Sequence, residues 1–121
     1  MKQTFFTITV LLLIVSLLSV VILGSKGKKT DTKVLVFFYG NTCPHCKDVE
    51  EWMENNKIKE KMEIIKKEVY DNNANAQELS LAAQSCGLDT NNIAVPFLYA
   101  ENKCFIGTPD IVNYLSQKAG L

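Results

Sequence analysis

Several features that would mark a function at once are scarce or missing in this sequence. Its net charge is zero, with 13 basic residues balancing 13 acidic ones, and no basic stripe gathers in the globular part. Attraction to a nucleic-acid backbone has no electrostatic support, so nucleic acid is not expected among the partners. There is no internal repeat and no long low-complexity tract, so nothing argues for a stacked-repeat architecture. At 121 residues the chain has room for one small domain and not comfortably for two. Only one pair of its 4 cysteines falls at Cys-x-x-Cys spacing. A structural zinc site needs about four ligands, and no metal-ligand set is expected.

What the sequence does have begins near the amino terminus. Phe5 to Leu23 is an uninterrupted uncharged, largely apolar run. It is close to the roughly 20 residues needed to span a hydrocarbon core about 30 Å thick. A cleaved signal peptide has a shorter apolar core and a small-x-small site after it. Val20 to Ser25 offers no clean Ala-x-Ala, so an uncleaved single-pass anchor over 5–23 is expected, behind a short leader at 1–4. Residues 24–32 read as a polar linker, whose Lys26, Lys28 and Lys29 suit lipid headgroups. The domain then occupies 33–121. These lysines, read by the positive-inside tendency, favour a cytoplasmic domain. The cysteine usage favours an oxidising compartment, and the extracytoplasmic orientation is the one expected.

Lys33 to Tyr39 is a continuous β-branched and aromatic run, as in a central strand buried on both faces. Cys46, Val49, Trp52 and Met53 then recur on one side of a helical period up to Asn55-Asn56, with Glu50, Glu51 and Glu54 on the solvated side. Met62 to Tyr70 reads as a second, less buried strand. A helix over Ala74 to Cys86 follows, with Gly87 as its stop. Phe97 to Ala100 and Lys103 to Ile106 read as a hairpin around Glu101-Asn102. Thr108-Pro109-Asp110 has the signature of a helix start, with Thr108 as the capping hydroxyl. The order is β-α-β-α-β-β-α, an α/β class with a mixed sheet.

The chemistry is concentrated at Thr42-Cys43-Pro44-His45-Cys46. A first cysteine at a helix start sits where unpaired backbone N–H groups and the helix dipole favour negative charge. The thiolate is the nucleophile, so that placement raises reactivity. Cys46, one turn in and on the buried face, is placed to resolve a mixed disulfide formed at Cys43. Pro44 restricts the backbone, and His45 is a candidate to stabilise the thiolate. Two alternatives stand beside this redox reading: a structural pair without chemistry, and a soft-metal site of the kind a copper chaperone uses.

These residues, with Val95-Pro96 ahead of a hairpin, resemble the thioredoxin superfamily in its short glutaredoxin-like form, over roughly Lys33 to Gln117. The Cys-Pro-His-Cys pattern is similar to that of DsbA-type oxidases. The resemblance implies a thioredoxin-like domain acting as a thiol–disulfide oxidoreductase on protein thiols and disulfides. It also implies a redox partner, no cofactor beyond the redox-active disulfide, and glutathione only as a candidate co-substrate, since Ile106 to Asp110 matches the glutaredoxin segment in part. By resemblance, Pro96 is cis and faces the disulfide, and the Val95 backbone pairs with a bound thiol substrate. Thr42, directly before the pair, is the second candidate substrate-binding residue; thioredoxins usually carry Trp there. Phe37 stands where thioredoxins carry a buried acid. With His45 and an exported domain, this leans toward oxidation or isomerisation; a tethered reductase is the alternative.

The remaining cysteines, Cys86 at a helix end and Cys104 in the last strand, are expected to form a structural disulfide, with two buried free thiols as the alternative reading.

Overall fold

A computed structural model describes residues 1–23 and 34–121, with the side chains of 15–23 left out. The expected linker at 24–32, its three lysines and Lys33 lie outside the described residues. The chain divides into two units, Met1–Asp31 and Thr32–Leu121. Among its described residues the first holds one helix, α1 (Lys2–Leu23), 22 residues long. Its large apolar side chains, among them Phe5, Phe6, Leu11 and Leu13, are exposed. Among the described residues no helix is long and apolar enough to cross a membrane, and along α1 the side chains are described only through Ile14.

The second unit runs β1 (Leu35–Tyr39), α2 (Pro44–Asn55), α3 (Ile58–Lys61), β2 (Ile64–Glu68), α4 (Asn73–Ser85), β3 (Phe97–Ala100), β4 (Lys103–Ile106) and α5 (Thr108–Ala119). It is an α/β unit with one mixed four-stranded sheet in the order β2-β1-β3-β4. β1 and β2 are parallel, in the register Phe37↔Lys66. β1 pairs antiparallel with β3, and β3 with β4.

Alternation along the central strands explains the layering. Leu35 and Phe37 of β1, with Leu98 and Ala100 of β3, face one side, where Val49, Met53, Ile58, Ile111 and Leu115 cover them. Phe38 and Phe97 face the other side, where Leu79 and Ala83 of α4 cover them. α2, α3 and α5 thus lie on one face of the sheet and α4 on the other. Trp52 is half-buried against the first of these clusters. β1 is buried on both faces because it is central, which is why its sequence shows no polar alternation. β2 lies at one edge. Its lysines reach across to helices, Lys66 pairing with Glu50 and Lys67 with Glu78, and charged side chains on an edge strand also discourage pairing with another chain.

Four expectations shift. The structure adds α3, because Lys57 takes a left-handed conformation (φ 52°) after α2 and turns Ile58 into the core. A single turn is too short to announce itself by periodicity. The second strand is shorter than Met62 to Tyr70, since the backbone N–H groups of Tyr70 and Asp71 turn to the Glu68 carboxylate. The helix expected over 74–86 begins at Asn73, capped by Asn72 Oδ1 accepting from the Asn75 N–H at 3.1 Å. Thr108 does not cap α5: the N-cap is Gly107, at φ 85° and ψ 158°, a conformation nearly confined to glycine. The Gly107 N–H donates to the Pro96 carbonyl at 2.9 Å, which requires that backbone path.

Candidate active site

β1 delivers the chain to the site. After Tyr39 the strand ends at Gly40, and the turn closes with the Cys43 N–H donating to the Gly40 carbonyl at 3.1 Å. A Cβ at Gly40 would fall 2.2 Å from the ring of Tyr70, so only glycine leaves that ring its place. Thr42 lies exposed in this turn. Cys43 is the N-cap of α2, with extended backbone (φ −88°, ψ 113°). Pro44 occupies the first helical position, where its missing N–H costs nothing.

Serine, threonine, aspartate and asparagine are the usual N-caps, each accepting from a first-turn N–H through side-chain oxygen. Here sulfur does so: the Cys46 N–H donates to Cys43 Sγ at 3.2 Å. Cys43 and Cys46 are also joined as a disulfide, with Cα atoms 5.3 Å apart. Cys43 retains 6% exposure and Cys46 none, so an incoming sulfur reaches Cys43.

The Val95–Pro96 peptide bond is cis, Pro96 is buried and Val95 half-buried. The Val95 carbonyl oxygen lies 3.8 Å from Cys43 Sγ. In the disulfide state Cys43 has no thiol proton to donate, so this is proximity rather than a hydrogen bond. A groove of about 410 Å³ opens here, lined by His45, Asp48, Val95, Pro96, Gly107, Thr108 and Pro109. A second, of about 450 Å³, runs past Val69, Tyr70, Leu79 and Ile93 to the same Val95. A third cavity, of about 230 Å³, lies among Glu50, Met53, Ile58, Ile64 and Lys66 and touches none of the cysteines.

His45 is exposed, and its Nδ1 lies 3.5 Å from an Asp48 carboxylate oxygen. Its backbone carbonyl has a partner that the sequence did not reveal, the Thr108 hydroxyl, which donates at 3.1 Å from the start of α5. The structure thus brings Cys43, Pro44, His45, Cys46, Val95 and Pro96 together. Cys86 and Cys104 form a separate disulfide with Cα atoms 6.2 Å apart, joining the end of α4 to β4. Among the described residues, no group of three or more His, Cys, Asp or Glu side chains is placed to hold a metal ion.

No protein-family model, curated protein or solved structure matches the chain.

One charged residue next to the site escaped the sequence reading. Glu68, at the end of β2, is pulled toward the neutral form by desolvation. The backbone N–H donors of Asp71, Tyr70, Asn41 and Asn72 outweigh that pull and hold its carboxyl below the ordinary value. Its link to Asn41, 27 positions earlier in the chain, has no local signature.

Proposed function

We propose that the chain is a membrane-anchored thiol–disulfide oxidoreductase with a thioredoxin-like domain. The observation that carries this reading is the asymmetry of the Cys43–Cys46 pair. One sulfur caps a helix and touches solvent, and the other is sealed beneath it.

In the oxidising direction, a substrate thiolate attacks Cys43 Sγ. The Cys43–Cys46 bond breaks, and Cys46 departs as a thiolate with the electron pair. A second substrate thiolate attacks the mixed disulfide at the substrate sulfur. Cys43 leaves as a thiolate stabilised by the Cys46 N–H and the helix terminus, and the substrate is left disulfide-bonded. Two electrons now reside on the pair, and a redox partner must remove them. The reverse sequence reduces a substrate. Both grooves meet at Val95, whose carbonyl oxygen lies 3.8 Å from Cys43 Sγ, which suits an extended polypeptide passing the sulfur along Val95, with Thr42 exposed in the turn before it.

The anchor rests on α1, a 22-residue helix whose run from Phe5 onward carries no charged residue. Such a helix rises about 33 Å at 1.5 Å per residue. Its large apolar side chains from Phe5 to Ile14 are exposed.

Oxidation or isomerisation is favoured over reduction, because Phe37, which is fully buried, stands where the resemblance to thioredoxins would place a buried acid. The test is the reduction potential of the full-length chain in detergent, equilibrated in glutathione buffers. Known domains span about −270 mV for thioredoxin to about −120 mV for DsbA. A value toward −120 mV fits an oxidant. A value toward −270 mV identifies a reductant and reverses the assigned direction.

A further inference from the structure

We propose that Glu68 is a positioning residue for Cys43, its carboxylate fixing the turn that sets the sulfur on the end of α2. The inference rests on the reading of Cys43 as the nucleophile.

The turn carrying Cys43 leaves β1 beside the turn that leaves β2, since the two strands are parallel and end together at Tyr39↔Glu68. The last rung between them is the Val69 N–H donating to the Tyr39 carbonyl at 2.9 Å. Beyond it, the Glu68 carboxylate bridges the two turns. Its Oε1 accepts from the Tyr70 N–H at 2.7 Å and from the Asn41 N–H at 3.3 Å, and its Oε2 accepts from the Asp71 N–H at 3.0 Å. The Asn41 side-chain amide donates in turn to the Asp71 carboxylate. The Glu68 carbonyl accepts from Asn75 Nδ2 at 2.8 Å, which ties the same point to α4. The Tyr70 ring occupies the space beside Gly40 that a Cβ would take.

Asn41 stands two residues before Cys43, inside the turn closed by the Cys43 N–H and the Gly40 carbonyl. Holding Asn41 therefore holds the backbone from which the Cys43 side chain projects. The contact between Cys43 Sγ and the Cys46 N–H, at 3.2 Å, needs that backbone in register with the first turn of α2. A carboxylate serves better than an amide here. It presents two acceptor oxygens and no donor, and the Tyr70, Asp71 and Asn41 backbone groups it meets are donors.

The test uses the full-length chain in detergent, reduced under conditions that leave Cys86–Cys104 intact, and alkylated with iodoacetamide across a pH series. Glu68→Ala is expected to slow alkylation of Cys43 at pH 6 by about tenfold and to move the pH–rate profile to higher pH, the factor lost with one charge-stabilising hydrogen bond. A variant that is only less stable keeps the wild-type profile in its folded fraction. If Glu68→Ala does not fold, Asn41→Ala removes the parallel link to Asp71 from an exposed position and is expected to shift the profile in the same direction by a smaller amount. A folded variant with the wild-type profile overturns the positioning role and leaves the proposed function standing. A wild-type Cys43 no more reactive than a free cysteine overturns the proposed function itself.

Discussion

Cys43 and Cys46 are joined twice, by a disulfide between their side chains and by a hydrogen bond from the Cys46 backbone N–H to Cys43 Sγ at 3.2 Å. The second link is expected to survive reduction of the first, because the helix holds the N–H in place. A thiolate at Cys43 then finds a donor already aimed at it.

Reduced Cys43 is accordingly expected to react with iodoacetamide at pH 6 more than about tenfold faster than free cysteine, whose thiol ionises near 8.5. Cys46, fully buried, is expected to stay unlabelled under the same conditions. Mass mapping of the alkylated chain checks both statements. Equal labelling of the two would contradict the geometry.

The second disulfide closes a segment of 18 residues between the end of α4 and β4. Restricting the unfolded chain over such a loop contributes about 3 kcal/mol. The double variant Cys86→Ser, Cys104→Ser is expected to unfold at lower denaturant concentration by that amount and to retain thiol–disulfide exchange at Cys43. Loss of exchange in a folded double variant would mean that this bridge takes part in the chemistry.

Glu68 makes stability depend on acid. Its folded-state carboxyl ionises below the ordinary 4.5, so the unfolded chain binds the proton more readily. The contribution is fully present above the unfolded value and is lost as pH falls through the folded one. Glu68→Gln removes that dependence. Chemical denaturation from pH 6 down to pH 3 should show wild type losing stability more steeply than the variant, and parallel curves would rule the clamp out as the cause.

Phe37 is fully buried in the cluster under α2 and α5. Phe37→Ala removes its packing and leaves a cavity, at a cost of about 3–5 kcal/mol. Urea titration followed by tryptophan fluorescence reads this directly, since Trp52 packs against the same cluster.

The parts of the fold legible in the sequence are those whose signal is local. β1 was readable from its aromatic and β-branched run, and α2 from Pro44 at its first position and the spacing of Cys46, Val49 and Met53. The hairpin turn was readable too: Glu101 and Asn102 adopt φ of 53° and 61°, as a two-residue connection between antiparallel strands demands. What was hidden depends on contacts across the chain. The Thr108 hydroxyl resembles a cap in sequence, yet it reaches a carbonyl 63 positions away, in the middle of the cysteine pair. Glu68 looks like one more strand-edge charge until folding brings Asn41 to it from 27 positions earlier. Asn72 is a local signal that the expected helix start at Ala74 passes over, a capping asparagine just ahead of Asn73.

The proposed exchange at Cys43, with Cys46 resolving the mixed disulfide, can be trapped halfway. Replacing Cys46 by serine removes the resolving thiol and leaves Cys43 in place. The full-length Cys46→Ser chain in detergent, incubated with a peptide disulfide, should accumulate a covalent adduct at Cys43, visible by intact mass and released by dithiothreitol. The wild-type chain should turn the same peptide over without accumulating it. Absence of the adduct, or its formation with equal yield in a Cys43→Ser chain, would contradict the account.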